Sequence, residues 1–159
     1  MLKIEQVRLD NPEQDEWVAL LDAYASDPMG GGEGLAPSVR QRLAAAMADV
    51  PGAVVLLARY EGNGVGVATA FMGFSTFAAR PLLNVHDLAV LDGWRGRGVG
   101  SALLARLEEI ARFRGCCKMT LEVLANNHVA QGAYRKCGFA PYELQPSAGV
   151  AQFWQKKLD

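Results

Sequence analysis

Residues 92–101 read DGWRGRGVGS, and a stretch with the periodicity of an amphipathic helix follows them directly. The first N–H groups of a helix have no intrahelical partner, and the helix dipole adds a partial positive charge there. Gly96, Gly98 and Gly100 leave the backbone open to a ligand, and Arg95 and Arg97 supply charge-assisted hydrogen bonds. The turn is therefore predicted to bind an anion of the phosphate or pyrophosphate type.

Two common phosphate motifs do not fit this turn. A Walker A loop ends in Gly-Lys-Ser/Thr, and the turn contains no lysine. A dinucleotide fingerprint has a third glycine where Ser101 stands, and an acid about twenty residues on at the end of a strand. Glu122 lies at about that distance, but in the middle of a predicted strand, so the match is poor.

Working outward from the turn, hydrophobic periodicity, glycines and prolines predict a single-domain α/β fold. Four helices are expected at 13–25, from Pro37 to Pro51, 99–114 and 125–138. Strands are expected at 2–9, 53–60, 65–77, 84–91, 118–124, 139–144 and 150–158, with a hairpin turn at 61–64 marked by Asn-Gly. The order β-α-α-β-β-β-α-β-α-β-β predicts a mixed, mostly antiparallel central sheet flanked by helices. One face of the third helix is expected to be buried: Val99, Leu103, Leu107, Ile110 and Phe113.

Composition excludes several classes of function. The chain has 159 residues, a length typical of one domain (1–159), and a net charge of −1 without a basic block, which argues against nucleic-acid binding. Cys116, Cys117 and Cys137 have the spacing of neither a disulfide framework nor a zinc site, and His86 and His128 add no metal signature. The N-terminus lacks a signal-peptide pattern, and no apolar run approaches the ~20 residues of a membrane span. A cytoplasmic protein without a metal is expected.

Two separated motifs resemble those of the GCN5-related N-acetyltransferase (GNAT) superfamily. The pattern R-x-x-G-x-G at Arg95, Gly98 and Gly100 is similar to the family's loop for the pyrophosphate of acetyl-CoA. The later pattern N-x-x-A-x-x-x-Y-x-x-x-G-F falls on Asn127, Ala130, Tyr134, Gly138 and Phe139. The resemblance covers roughly residues 84–140 and implies direct transfer of an acetyl group from acetyl-CoA to a primary amine.

The resemblance also implies how the cofactor is held. The turn residues whose backbone would hold the pyrophosphate are Gly96, Arg97, Gly98, Val99, Gly100 and Ser101. The strand end Leu88, Ala89 and Val90 would pair with the pantetheine arm, as an added strand pairs with a sheet edge. Asn127 would bond the cofactor arm or cap its helix.

For catalysis, the resemblance implies that Tyr134 is the general acid for the leaving thiolate. An alkyl ammonium is almost fully charged at neutral pH, so a base is expected as well. Glu122, on the strand before the last helix, and Asp87, on the cofactor-binding strand, are equal candidates, and His86 ranks behind them. Because adjacent strand residues face opposite ways, only one of His86 and Asp87 is expected to face the acceptor.

The acceptor is less well defined by the sequence. In the family the first two helices and their loop cover the acceptor, and here that loop carries Asp27 and Glu33, which would attract a cationic amine, with His86 as a further contact. For either residue, a charge on a solvated loop without a binding role is an equally good interpretation. The acceptor is expected to be a polyamine, a small amine, or a peptide or protein amine.

Two alternatives to an acetyltransferase are a non-catalytic acyl-CoA sensor and a phosphate-binding regulatory domain. A homodimer is possible, but Phe153 and Trp154 are expected in the sheet core rather than at an interface.

Overall fold

The computed structural model describes residues 1–11 and 16–158. Its sheet has the order β1-β2-β3-β4-β5, with antiparallel neighbours except for the parallel pair β4 and β5. The strands are β1 (Leu2–Gln6), β2 (Val54–Tyr60), β3 (Asn63–Ser75), β4 (Arg80–Val90) and β5 (Met119–Leu121). The helices are α1 (Glu16–Ala25), α2 (Pro37–Ala48), α3 (Val99–Phe113) and α4 (His128–Lys136). The predicted mixed sheet, mostly antiparallel and flanked by helices, is confirmed; predicted helix residues 13–15 lie outside the described residues.

Two compact units make up the chain, Met1–Leu121 and Glu122–Asp159. The first contains the whole sheet with α1, α2 and α3, and the second contains α4. The prediction of one domain over 1–159 stays a prediction.

Helix α1 covers one face of the sheet in the first unit. Its Trp17 is 1% exposed and belongs to a core with Val67 of β3 and Ala89 of β4. Side chains alternate between the faces of a strand, so Thr69 and Phe71 lie on the same face of β3 as Val67. Phe71 indeed packs against this core.

Helix α3 covers the opposite face. A Cβ placed on Gly66 of β3 would meet Val99 and Leu103 of α3 at 3.0 and 3.4 Å, which identifies the face they share. The predicted apolar stripe is buried at Val99, Leu103, Leu107 and Ile110. Phe113 is 93% exposed, so its place in the stripe was wrong. It is the last residue of the helix, and Leu104 and Ala111 complete the buried stripe instead.

The β2–β3 hairpin loop is two residues shorter than the predicted turn at 61–64. Tyr60 pairs with Asn63, so the loop is Glu61-Gly62 and excludes the Asn-Gly pair that marked the turn. Both loop residues have positive φ, 50° and 86°, as in the two-residue hairpin turns whose twist matches the strands. Asn63 and Gly64 therefore belong to β3.

A β-bulge interrupts β4 at His86. Thr69 pairs with Asp87 and the next residue, Ala70, pairs with Val85, which leaves His86 without an opposite residue on β3. A bulge adds one residue to one strand and commonly ends or redirects pairing. The pairing of β5 with β4 stops at Val85 and Leu121, directly before this position.

The chain after β5 differs most from prediction. Strand β5 ends at Leu121, so Glu122 follows the strand and is exposed instead of lying inside it. The stretches 139–144 and 150–158 meet only in one bridge, Glu143 to Val150, and are otherwise not strands. Phe153 and Trp154 are 77% and 84% exposed, so their placement in the sheet core was wrong. Alternation supplies a pattern, but a strand also needs a partner to bond its backbone.

Candidate functional site

The glycine turn ends in left-handed backbone just before α3. Gly96 and Gly98 have φ of 73° and 82°, a region that other residues rarely adopt, and Gly98 is the N-cap of the helix. The backbone N–H of Ala102 donates to Gly98 O at 3.0 Å, which is the first bond into the helix. A Cβ on Gly96 or Gly98 would meet nothing within 4 Å, and one on Gly100 would meet only side chains at 3.9 and 4.0 Å. The turn therefore offers open space at a helix N-terminus, which fits a pyrophosphate.

Arg95 joins this turn to the loop after α1. Its guanidinium pairs with Asp27 at 3.0 Å and Asp92 at 2.8 Å, and its Nε donates to Val90 O at 3.1 Å. Asp27 also accepts from the backbone N–H of Met29 at 3.0 Å and so caps the short 3₁₀ turn Pro28–Gly30. The hydrogen bond from Met29 and the one from Arg95 hold the pKa of the Asp27 carboxyl below its usual value. Asp27 and Arg95, which were both predicted as site residues, thus form an ion pair with each other.

Arg97 packs on an aromatic pair. Its guanidinium lies over the Trp94 ring, 5.2 Å from the centroid, and Trp94 contacts Tyr60 with ring centroids 4.6 Å apart. Arg97 and Ser101 are exposed at the outer side of the turn. Their predicted contact with the pyrophosphate stays a prediction.

The bulge places His86 and Asp87 on one face of the sheet. The His86 ring makes an edge contact with Phe71, with centroids 5.4 Å apart, and Asp87 accepts a hydrogen bond from the hydroxyl of Thr69. Thr69 and Phe71 both lie on the α1 face of β3. The expectation that only one of His86 and Asp87 faces the acceptor side is therefore wrong, because strict alternation does not hold at a bulge.

A cavity of about 340 Å³ lies between α1, the loop after it and the end of β4. Of the predicted residues, Asp27, Ala89, Val90 and Arg95 line it. Ala89 is buried, whereas Leu88 and Val90 are half-buried. Glu33 is exposed in the loop before α2 and is not among the cavity-lining residues.

Tyr24, near the C-terminal end of α1, also lines the cavity, and no sequence motif marked it as a site residue. It is half-buried, and burial raises the pKa of its phenol, with the negative charges of Asp87 and Asp27 adding to the rise and Arg95 opposing it. Its helical spacing with Trp17, Leu20 and Leu21 made it look like core. A hydroxyl at the end of such a stripe, next to a loop, was the available signal.

The second unit carries the other predicted residues. Asn127 is the N-cap of α4 and accepts from the Ala130 N–H at 3.2 Å, so the capping role holds. Tyr134 is half-buried, with its ring edge-on to Phe139 at 6.1 Å, and the Phe139 N–H donates to Tyr134 O at 3.0 Å. The later sequence motif is thus a local unit that fixes Tyr134 on α4. Glu122 is exposed before this helix.

Within the described residues, no group of three or more His, Cys, Asp and Glu side chains has an arrangement suited to a metal ion. Nor does any helix in residues 1–11 and 16–158 have the length and apolar character needed to cross a membrane.

Comparison with known proteins places these features in one family. Residues 12–139 match the family model described as Acetyltransferase (GNAT) family. Aminoglycoside N(6')-acetyltransferase type 1 of Stenotrophomonas maltophilia is 30% identical over 119 residues, which is 68% of this chain and 78% of that protein. Streptothricin acetyltransferase of Streptomyces lavendulae is 37% identical over 75 residues, 47% of this chain and only 40% of that protein.

Solved structures agree on the fold. A probable acetyltransferase superposes with a TM-score of 0.81 at 21% identity, over 99% of both chains. The aminoglycoside acetyltransferase AAC(6')-Iy, in complex with a bisubstrate analogue containing CoA, superposes with a TM-score of 0.78 at 19% identity, also over 99% of both chains.

Proposed function

Because the chain belongs to the acetyltransferase (GNAT) family, as its motifs predicted, we propose that it transfers the acetyl group of acetyl-CoA to a primary amine. Family membership confirms the predicted enzyme class, an N-acetyltransferase. The observation that carries the specific proposal is the glycine turn, where Gly96 and Gly98 open the N-terminus of α3 beside a cavity lined by the end of β4.

In this proposal the turn residues 96–101 hold the pyrophosphate through their backbone N–H groups, while Leu88, Ala89 and Val90 bond the pantetheine arm. Bound acetyl-CoA supplies the thioester whose carbonyl carbon the amine attacks. A Cβ added to Gly100 would meet no protein atom closer than 3.9 Å. The space beside this backbone is therefore open to a ligand, which supports the placement.

The amine reaches the enzyme as an ammonium and has to lose a proton before its lone pair can attack. Asp87 is the base favoured by the structure, because it lies on the α1 face near Tyr24, whose phenol responds to its charge. Glu122 stays a candidate from the sequence. His86 lies on the same face as Asp87 and completes the acceptor side, whereas Asp27 is already paired with Arg95.

Tyr134 is proposed to donate its phenolic proton to the sulfur as the C–N bond forms and the C–S bond breaks. The second proton, which the nitrogen loses as it becomes an amide, returns to the tyrosinate. A tyrosine is protonated at neutral pH, with a reference pKa of about 10. The packing of its ring on Phe139 supports a fixed position for the hydroxyl on α4.

The relatives are named as acetyltransferases of amines: an aminoglycoside, streptothricin and, in a bovine protein 32% identical over 74 residues, thialysine. They support the amine class as the acceptor and do not select among its members. A longer acyl-CoA and a non-catalytic acyl-CoA sensor are the competing proposals.

The test measures release of free CoA thiol from acetyl-CoA with spermidine, an aminoglycoside, lysine, a short peptide and an aryl amine. Release that depends on one amine, and that falls at least about tenfold in Tyr134→Phe, is expected from loss of a general acid. Tight acetyl-CoA binding without amine-dependent release would favour the sensor, and no binding would refute the proposal.

The chain is also proposed to work in a reducing compartment such as the cytoplasm, because the spacing of Cys116, Cys117 and Cys137 is not that of a disulfide framework. The homodimer and the lack of nucleic-acid binding stay predictions. Light scattering during size exclusion would measure the oligomeric state.

A further inference from the structure

Thr69 is the one buried polar side chain in the described core, at 2% exposure. It lies on β3 between Val67 and Phe71, two residues that pack in the core under α1. A buried hydroxyl without a hydrogen-bond partner is costly, and this one donates to Oδ2 of Asp87, directly opposite on β4. The pair is thus built into the ladder at the point where β4 bulges.

Asp87 also differs from its acidic neighbours in its charge environment. Asp27 and Asp92 both pair with Arg95, and Asp22 pairs with Arg40 at 3.1 Å. Among residues 1–11 and 16–158, Asp87 has a neutral donor, Thr69, and no arginine or lysine as an ion-pair partner. Its negative charge is therefore available to a cation from outside the chain.

The groups that face Asp87 come from three elements. Thr69 lies on β3, His86 is the adjacent bulge residue on β4, and Tyr24 of α1 feels the charge of Asp87. Asp27, in the loop after α1, and Arg95, in the glycine turn, act on the same tyrosine with opposite signs. Of these groups, the structure records a hydrogen bond to the Asp87 carboxylate only from Thr69.

We infer that Thr69 is a positioning residue that orients the Asp87 carboxylate toward the acceptor amine. The inference rests on the proposed function, in which Asp87 removes a proton from the acceptor ammonium. The hydrogen bond from the Thr69 hydroxyl to Oδ2 fixes the carboxylate and leaves Oδ1 for the ammonium. In the reaction the proton moves from the amine nitrogen to Asp87, and the Thr69 hydroxyl keeps its own proton.

Two substitutions separate the hydroxyl from the shape of the side chain. Thr69→Val keeps the volume and branching but removes the donor, and Thr69→Ser keeps the donor. We expect Thr69→Val to lower kcat/KM for the amine by about tenfold or more, as for loss of a bond to a charged group, with the KM for acetyl-CoA little changed. Thr69→Ser should restore most of the activity.

Thr120→Val is the matched control. Thr120 accepts a hydrogen bond from Asn84 of β4 at 3.0 Å. Thr120→Val therefore also removes a hydroxyl that is bonded to β4, but one that lies away from Asp87. Thr120→Val should leave kcat/KM for the amine unchanged. In an Asp87→Asn background, Thr69→Val should change kcat/KM by less than about twofold, since the two residues act as a unit.

The carboxyl ¹³C chemical shift of Asp87 at neutral pH tests the hydrogen bond without any turnover. A chemical shift that changes in Thr69→Val and is kept in Thr69→Ser supports the inference, and equal chemical shifts in the wild type and Thr69→Val overturn it whatever the activity. The supporting chemical shifts in a protein that acetylates no amine would instead refute the proposed function, and the catalytic part of the inference with it. If Asp87→Asn is as active as the wild type, Asp87 is not the base, and the inference that Thr69 positions a base is overturned.

Discussion

Gly100 lies in the first turn of α3 with no positive φ, unlike Gly96 and Gly98. Its backbone would accept an alanine, and the Cβ would reach only Val90 and Leu88 side chains at 3.9 and 4.0 Å. The fold therefore does not require a glycine here, whereas a ligand that approached the backbone would. Such a requirement is local, so the sequence alone could suggest it, and the contact of Gly100 with the cofactor stays a prediction. It could not predict that Arg95 is engaged by Asp27, a residue 68 positions away in the chain.

Gly100→Ala should separate binding from stability. The unfolding free energy is expected to be unchanged or to rise by up to about 1 kcal/mol, the usual gain of alanine over glycine in a helix. The affinity for acetyl-CoA is expected to fall about tenfold, ~1.4 kcal/mol, because the Cβ enters the ligand's space. Urea unfolding and isothermal titration calorimetry measure the two quantities.

Gly93→Ala is the control, since a Cβ there meets nothing within 4 Å and lies before residues 96–101, which are proposed to hold the pyrophosphate. Gly93→Ala should change neither the unfolding free energy nor the affinity for acetyl-CoA. Wild-type affinity in Gly100→Ala would place the pyrophosphate elsewhere.

Strand β4 shows at the scale of an element what periodicity predicts and what it misses. Its existence and its place before the glycine turn followed from the pattern NVHDLAVL. Its bulge did not, because the extra residue is defined only by the register against β3. Two errors follow from that one feature: His86 and Asp87 were placed on opposite faces, and Glu122 was placed in a strand that ends at Leu121.

The loop after α1 is a second element whose packing can be tested. A Cβ on Gly30 would lie 2.0 Å from the carbonyl oxygen of Tyr24, so Gly30→Ala has to displace the loop that carries Asp27. We expect a loss of stability of about 1–3 kcal/mol, as for overpacking, and a raised KM for the amine with acetyl-CoA affinity nearly kept. Steady-state kinetics and urea unfolding are the measurements.

Met29→Ala, at the 45% exposed neighbour, provides the comparison and should change little. An unchanged KM for the amine in Gly30→Ala would separate this loop from the acceptor.

For the whole molecule, the sheet and its two covering layers were predictable, because they depend on strong apolar patterns in the first 121 residues. The last twenty residues were not, because their alternating pattern specifies a strand only when a partner strand bonds it. Residues 141–158 are exposed throughout, although they carry Tyr142, Leu144, Phe153 and Trp154. This contrast with Trp17, which is 1% exposed, is measurable in solution.

Tryptophan fluorescence should report that exposure. Trp154→Phe is expected to remove most of the emission that acrylamide quenches efficiently, because Trp154 is 84% exposed and Trp17 is shielded. Stern–Volmer plots of the wild type and the variant provide the measurement.

Trp94→Phe is the control, because Trp94 is half-buried against Tyr60. Weak quenching of Trp154 in the wild type would show that the segment is covered in solution.

The bulge at His86 has a consequence for the gene. In-frame loss of codon 86 would leave Val85 opposite Ala70 and Asp87 opposite Thr69, so every other side chain of β4 would keep its partner and its face. We therefore expect the sheet to fold with this deletion, although the deletion removes the imidazole of His86 from the proposed acceptor side. A one-codon gap at this position among descendants of this gene would mark a change in substrate handling without a change of architecture.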